Sequence, residues 1–268
     1  MSTDGLFTAC AGDSDRSPLV LVHGSMDRSA GMLRLSRRLD GRFCVTRYDR
    51  RGYGRSIQAG GPFSVSAHVD DLEVICAAAT SATGSGQVQT GVVPVRLFGH
   101  SFGGNIALAL AARRPDLVHS VAVFETPLSW LDWWPSHTAG AVVALEQDPS
   151  DTAEAFMRRL IGNEVWEHLP GSTRAARRAE GPAMVGELRD LRARAPWSGE
   201  QISVPVLAAY GENGREHHRS GTYAIGEMIP GSTIVELPDA GHGAPNTHAD
   251  DLTAMLTRFW SAVDNGSN

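Results

Sequence analysis

Short apolar, β-branched runs alternate along the chain with longer segments in which apolar residues recur at helical spacing. Several of the short runs are apolar almost throughout, as strands buried on both faces must be. Strands joined by helical crossovers build a mainly parallel sheet flanked by helices, so the pattern predicts an α/β fold. The predicted strands are 6–10, 18–23, 43–49, 93–99, 118–124, 204–211 and 232–238, and the predicted helices are 29–39, 65–79, 102–113, 216–229 and 247–262.

The segment 126–200 interrupts this alternation, because it is rich in tryptophan and arginine and contains no good strand. We expect a helical cap over the carboxyl edge of the sheet, where open α/β sheets bind their ligands. The core then comprises 1–125 and 201–268, with 80–92 a loose surface loop. The cap's Trp130, Trp133 and Trp134 either pack the cap or line an apolar pocket that binds substrate.

Composition narrows the class of protein. The 268 residues are 42% hydrophobic and 20% charged, and a net charge of −6 gives no basic patch for nucleic acid. The first residues lack a basic start followed by an apolar core, and no stretch of about eighteen apolar residues occurs, so we expect a cytoplasmic protein without a membrane partner. Cys10, Cys44 and Cys76 lie on separate predicted elements, which favours reduced, buried thiols. Oligomeric state is left open.

The sequence Gly99-His100-Ser101-Phe102-Gly103 fits the G-x-S-x-G pattern and lies between a predicted strand and a predicted helix. A serine in such a sharp turn needs small neighbours, and its position at a helix N-terminus favours developing negative charge. A serine that only capped the helix would leave the glycines unexplained. The pattern therefore indicates that Ser101 is a nucleophile.

A serine nucleophile needs a histidine base that is itself oriented by an acid. Ten histidines compete, and His242 is the best placed, on a glycine-flanked loop between the last strand and the last helix. His248 is second, since a helix start offers less freedom of approach. His23 and His100 adjoin motif residues, and we interpret them as structural. His217 and His218 resemble a surface pair without metal-ligand spacing.

Together with VHGS (22–25), YDRRGYGRS (48–56) and AGHG (240–243), the serine motif resembles the α/β-hydrolase superfamily from near residue 18 to near residue 262. The resemblance implies an oxyanion hole formed by the backbone N–H groups of Ser25 and Phe102. The Ser25 side chain then either adds a third donor or faces solvent. The glycines at 52 and 54 lack the third glycine of a dinucleotide loop, and no phosphate loop or zinc spacing occurs, so we expect no metal and no cofactor.

The acid departs from the usual family pattern. Members commonly carry aspartate three positions after the glycine that ends the penultimate strand, where this chain has Gly214. Glu125 follows strand 118–124 and resembles the acid of the zearalenone lactone hydrolases and of bacterial hydrolases with a Glu-Pro-Pro turn, although Thr126 replaces the first proline. We favour Glu125, with Glu212 and Asp239 as alternatives.

These residues predict a serine hydrolase of the Ser-His-acid type that cleaves a carboxylic ester, lactone or thioester of a small molecule with an apolar part. Two alternatives share the motifs. One is hydrolysis of a carbon–carbon bond or another non-ester reaction of the same fold, and the other is a non-catalytic ligand receptor. Dehalogenase or epoxide hydrolase chemistry is not expected, since those members use aspartate at the position of Ser101.

Overall fold

A seven-stranded sheet forms the centre of the computed structural model, which describes residues 5–81, 93–145 and 148–266. Its strand order is β1-β3-β2-β4-β5-β6-β7, with β1 antiparallel to β3 and every other pair parallel. All seven predicted strands are confirmed, and residues 82–92 of the predicted loop lie outside the described residues. The strands are β1 (Thr8–Ala11), β2 (Pro18–Val22), β3 (Cys44–Tyr48), β4 (Val95–His100), β5 (Val118–Phe124), β6 (Val206–Gly211) and β7 (Thr233–Leu237).

Helices cover both faces of the sheet. Successive residues of β2 point to opposite faces, and Val20 and Val22 enter one apolar cluster while Leu19 and Leu21 enter the other. Both faces are therefore buried, which explains the uninterrupted apolar runs. The helices are α1 (Leu33–Leu39), α2 (Val65–Ser81), α3 (Phe102–Arg113), α4 (Pro149–Ile161), α5 (Asn163–His168), α6 (Gly171–Ala179), α7 (Gly181–Ala193), α8 (Glu216–Met228), α9 (Ala244–Thr247) and α10 (Ala249–Asp264).

The segment between β5 and β6 is helical, and we call α4 to α7 the cap helices. They bury their own apolar side chains, among them Phe156, Trp166 and Leu188. Glu180, buried before α7, ties them to the core, because it accepts hydrogen bonds from Arg28 at 2.8 Å and from the Gly54 amide at 2.9 Å. The cap is thereby held at the carboxyl edge of the sheet.

Within the described ranges, no helix has both the length and the hydropathy needed to cross a bilayer. The three cysteines are free thiols. Cys44 and Cys76 are buried as expected, but the expectation of a buried Cys10 was wrong. Cys10 lies on β1, an edge strand whose residues are alternately exposed, and its thiol lies 3.5 Å from the Thr46 hydroxyl on β3.

Candidate active site

Ser101 occupies a strained turn between β4 and α3, with φ 53° and ψ −125°. A left-handed φ is uncommon for a residue with a side chain, and such strain concentrates at functional sites. The flanking glycines are required by close approach. A Cβ on Gly99 would lie 2.5 Å from the Gly104 Cα, and a Cβ on Gly103 would overlap the carbonyl oxygen of Val22. The turn thus holds the serine side chain clear of the sheet.

His242 and Glu125 form a short hydrogen bond at the same edge of the sheet. The His242 Nδ1 donates to Glu125 Oε2 at 2.6 Å, and the Gly211 amide donates to Oε1 at 3.1 Å. Glu125 is fully buried at the end of β5, with a left-handed φ of 49°. Because the carboxylate accepts at Nδ1, the His242 Nε2 is left free to accept a proton.

Gly214 leaves room for the Glu125 carboxylate, which directly follows β5. A Cβ on Gly214 would collide with Glu125 Oε1, so the carboxylate occupies the space that a side chain at position 214 would need. The alternatives are directed elsewhere, since Glu212 Oε2 accepts from the Asp239 amide at 3.0 Å and both residues are exposed. In the described part of the chain, neither carboxylate contacts His242.

Ser101 and His242 line one cavity of about 220 Å³ beneath the cap helices. Across the described residues, no hydrogen bond joins the Ser101 hydroxyl to the His242 ring. Catalytic hydrogen bonds are often loose before substrate binds and tighten in the complex. The apolar part of the wall consists mainly of Phe102, Pro127, Trp134, Ala139, Phe156, Leu160 and Leu188.

The loop after β2 brings Ser25 to this cavity. Ser25 and Phe102 both line it, and their amide N–H groups donate to no other acceptor among the residues described. The loop is held by His23, which is fully buried. Its Nε2 accepts from the Arg50 amide at 2.9 Å, so its Nδ1 donates to the Gly24 carbonyl at 2.8 Å. Burial and the nearby Arg50 lower the pKa of His23 and keep it neutral.

The Ser25 side chain takes neither of its expected roles, because its hydroxyl donates to Glu187 of α7 at 2.6 Å. Glu187 is fully buried and also accepts from Arg50 Nη1 and from the Tyr53 hydroxyl, each at 2.6 Å. Burial raises the pKa of Glu187, but the Arg50 charge and hydrogen bonds from His68 and Arg50 outweigh it and lower the pKa. No local sequence signal marks Glu187, which is 137 positions from Arg50.

His217 and His218 are not a surface pair, as the sequence suggested, because both line the cavity. The His218 ring stacks on His242 with centroids 4.7 Å apart, and its Nε2 lies 3.9 Å from Glu125 Oε2. Burial and the neighbouring His242 lower the pKa of His218, which is therefore neutral near pH 7. The available signal was their position just after β6, at the edge that carries Ser101.

His100 also packs against His242, with ring centroids 4.7 Å apart. Its Nε2 donates to the His242 carbonyl at 2.8 Å, which holds the backbone of His242. Burial and the charge of His242 lower the pKa of His100 to about 3. The expected structural role of His100 agrees with these contacts.

Ligand atoms of Glu125, His218 and His242 lie within 4.8 Å of one another, close enough to hold a metal ion. An ion bound by all three would take a nitrogen of His242. Proton transfer needs both nitrogens of that ring, one for the acid and one for the serine. Metal binding at this cluster and Ser-His-acid chemistry would therefore exclude each other.

Of the three cap tryptophans proposed to bind substrate, the structure brings Trp134 alone to the cavity. Trp134 is 7% exposed and meets His217 edge to face, with centroids 5.0 Å apart. Trp130 instead packs perpendicular to Trp197 at 5.6 Å, and Trp133 is 47% exposed on the surface. Of the two roles that the sequence left open, Trp130 therefore has the packing role and Trp134 lines the cavity.

Comparison with known proteins agrees with this architecture. A 2-(acetamidomethylene)succinate hydrolase of Mesorhizobium japonicum is 24% identical, covering 96% of this chain and 93% of that protein. A pimeloyl-(acyl-carrier protein) methyl ester esterase of Chromobacterium violaceum is 26% identical, covering 89% and 92%. The crystal structure of the enol-lactonase from Burkholderia xenovorans superposes with a TM-score of 0.71, covering 96% of each chain at 22% identity. The sequence model of the Alpha/beta hydrolase family matches residues 19–255, and the chain belongs to that family of hydrolases.

Proposed function

We propose that this chain is a serine hydrolase that cleaves a carboxylic ester, lactone or thioester through an acyl-enzyme intermediate. The observation that carries the proposal is the 2.6 Å hydrogen bond from His242 Nδ1 to the buried Glu125 carboxylate, beside a cavity whose wall includes Ser101. A histidine oriented in this way is the base that a serine hydroxyl requires.

In the first half of the reaction, the Ser101 Oγ attacks the substrate carbonyl while His242 Nε2 takes its proton. Glu125 stabilises the imidazolium that results. The amides of Ser25 and Phe102 donate to the oxyanion of the tetrahedral intermediate, commonly a large part of the catalytic effect. His242 then returns the proton to the departing alcohol, hydroxyl or thiol, which leaves Ser101 acylated.

In the second half, water attacks the acyl carbonyl and His242 accepts a proton from it. The same two amides hold the second oxyanion. Collapse of this intermediate expels the Ser101 oxygen, which regains its proton from His242. The acid product departs and the enzyme is restored, so the cycle consumes one water and needs no cofactor.

The cavity wall supports a small-molecule substrate with an apolar part. Trp134 and Leu188 supply apolar surface beside the reacting groups. The named activities of the methyl ester esterase and the enol-lactonase support acyl transfer to water as the reaction class.

Labelling with a fluorophosphonate tests the proposal and separates an enzyme from a non-catalytic receptor. The purified chain should react with one equivalent, and Ser101→Ala should abolish both labelling and hydrolysis of p-nitrophenyl esters while circular dichroism stays unchanged. The expected loss of kcat is about 10⁴-fold or more. Ser129→Ala is the matched control, since this serine also lines the cavity but lies outside the nucleophile turn. Activity of Ser101→Ala within tenfold of wild type would refute the assignment.

A further inference from the structure

The charge of the cavity wall is opposite to that of the whole chain. The chain has a net charge of −6, yet the cavity is lined by Arg159, Arg192 and Arg215 and by three histidines. Among the described residues that line it, none is aspartate or glutamate. An apolar cavity with several cations and no acid attracts an anionic ligand.

Two arginines that are close in sequence to Arg159 and Arg192 but do not line the cavity are paired with acids. On α4, Arg158 donates to Glu154 at 2.7 Å. Immediately after α7, Arg194 donates to Asp190 at 2.6 Å. Arg159 and Arg192, which line the cavity, form no such pair with an acid among the described residues.

Arg192 has no hydrogen bond or ion pair with any described residue, and its Nη2 is buried without a partner. Arg159 makes one weak contact, from Nη1 to the Thr138 carbonyl at 3.3 Å. Burial lowers the pKa of Arg192. A buried guanidinium nitrogen without an acceptor is costly, and its five donors match a carboxylate in a two-point contact.

Leu188 and Arg192 are four residues apart on α7, so they lie on one face of the helix, and both line the cavity. That face offers a substrate an apolar surface and, one turn further on, a free guanidinium. We propose that the substrate carries an ionised carboxyl group besides the bond that is cleaved, and that Arg192 binds it with the help of Arg159. This assignment rests on the proposed function and specifies its substrate class.

Two pairs of esters test the proposal. On the acyl side, p-nitrophenyl hemiadipate is compared with p-nitrophenyl hexanoate. On the alcohol side, 4-carboxyphenyl hexanoate is compared with its uncharged 4-carbamoyl analogue. In at least one pair, wild type should favour the carboxylate, and Arg192→Gln should lower the charged-to-neutral ratio of kcat/KM about tenfold or more, mainly through KM. Arg192→Lys should recover part of the ratio.

Arg194→Gln is the matched control, since Arg194 lies two positions away and is paired outside the cavity. It should leave the charged-to-neutral ratio unchanged. If the neutral esters are hydrolysed through Ser101 but neither pair shows a preference that depends on Arg192, the inference is overturned while the proposed function stands.

If wild type hydrolyses none of the four esters, the proposed function fails and binding decides the inference. Calorimetry then compares adipate with adipamide at millimolar concentration. Binding of adipate that is lost in Arg192→Gln supports a carboxylate site, and absence of adipate binding to wild type overturns it.

Discussion

Replacing Glu125 with glutamine tests the acid of the proposed triad with almost no change of shape. Two N–H donors converge on this carboxylate, from Gly211 at 3.1 Å and from His242 at 2.6 Å. A glutamine amide has one oxygen, so its NH₂ group must face one of these donors. If the oxygen accepts from Gly211, the NH₂ faces His242 Nδ1 and drives the ring proton to Nε2. His242 could then no longer accept the proton of Ser101.

The expected loss of kcat in Glu125→Gln combines two effects of the amide. It favours the wrong tautomer, and it withdraws the charge that stabilises the imidazolium in a fully buried position. We expect kcat to fall by about 10² to 10⁴, which corresponds to about 3 to 5 kcal/mol of lost transition-state stabilisation. KM should change little, because Glu125 is outside the set of residues that line the cavity among those described.

The assay is steady-state hydrolysis of a p-nitrophenyl ester at neutral pH, with circular dichroism to verify folding. Glu212→Gln is the matched control, because its carboxylate bonds the exposed Asp239 amide and should cost less than tenfold in kcat. The opposite ranking, with Glu212→Gln the more damaging change, would refute the assignment of Glu125.

Three further variants probe the surroundings of the site. Trp134→Ala should lower the ratio of kcat/KM for p-nitrophenyl octanoate over acetate about tenfold by removing apolar contact, whereas Trp130→Ala, which packs on Trp197, should leave that ratio within about twofold. His100 has a pKa of about 3 when folded and an ordinary value when unfolded, so unfolding binds a proton and stability falls as pH drops below about 6.5. His100→Gln should reduce that slope by about 1.4 kcal/mol per pH unit in urea titrations between pH 6 and 5, and an unchanged slope would contradict this cause. Glu187→Gln should lower kcat more than about tenfold, because Glu187 holds the loop that carries Ser25. Glu180 ties the cap to other residues, so Glu180→Gln should lower Tm without that loss of kcat. Equal kcat in the two variants would contradict the role of Glu187 in positioning Ser25.

The parts that sequence predicted best are those with local physical causes. Every predicted strand lies within two residues of its observed bounds. For central strands such as β2 and β6, which are buried along their whole length, the cause is that a strand buried on both faces must be largely apolar. The turn at Ser101 was recognisable because glycines at 99 and 103 flank the serine between a strand and a helix, although Gly103 is needed for its close approach to the Val22 carbonyl of β2. Predicting Glu125 required one further inference, that β5 pairs with β6. This pairing brings the Glu125 carboxylate to the space beside Gly214.

The site contacts that the sequence did not predict depend on side-chain directions that helix packing determines. Glu187 of α7 and Arg50, which follows β3, meet through the packing of the cap on the core. His218 reaches His242 because α8 begins at the edge of the cavity, and nothing in the pair of histidines itself distinguishes that position from the surface. Trp130 and Trp134 are four residues apart, yet one packs within the cap and the other faces the cavity.

The buried pair of Arg50 and Glu187 limits how freely this protein could exchange its cap for another. Both side chains are completely buried, with Arg50 held by the core and Glu187 by the cap. A chimera whose new cap lacked an acid at this point would leave a positive charge buried alone, at a cost of about 3 to 5 kcal/mol. That is a large part of the net stability of a typical domain. Transplanted caps would fold on this core only if they brought their own carboxylate to Arg50.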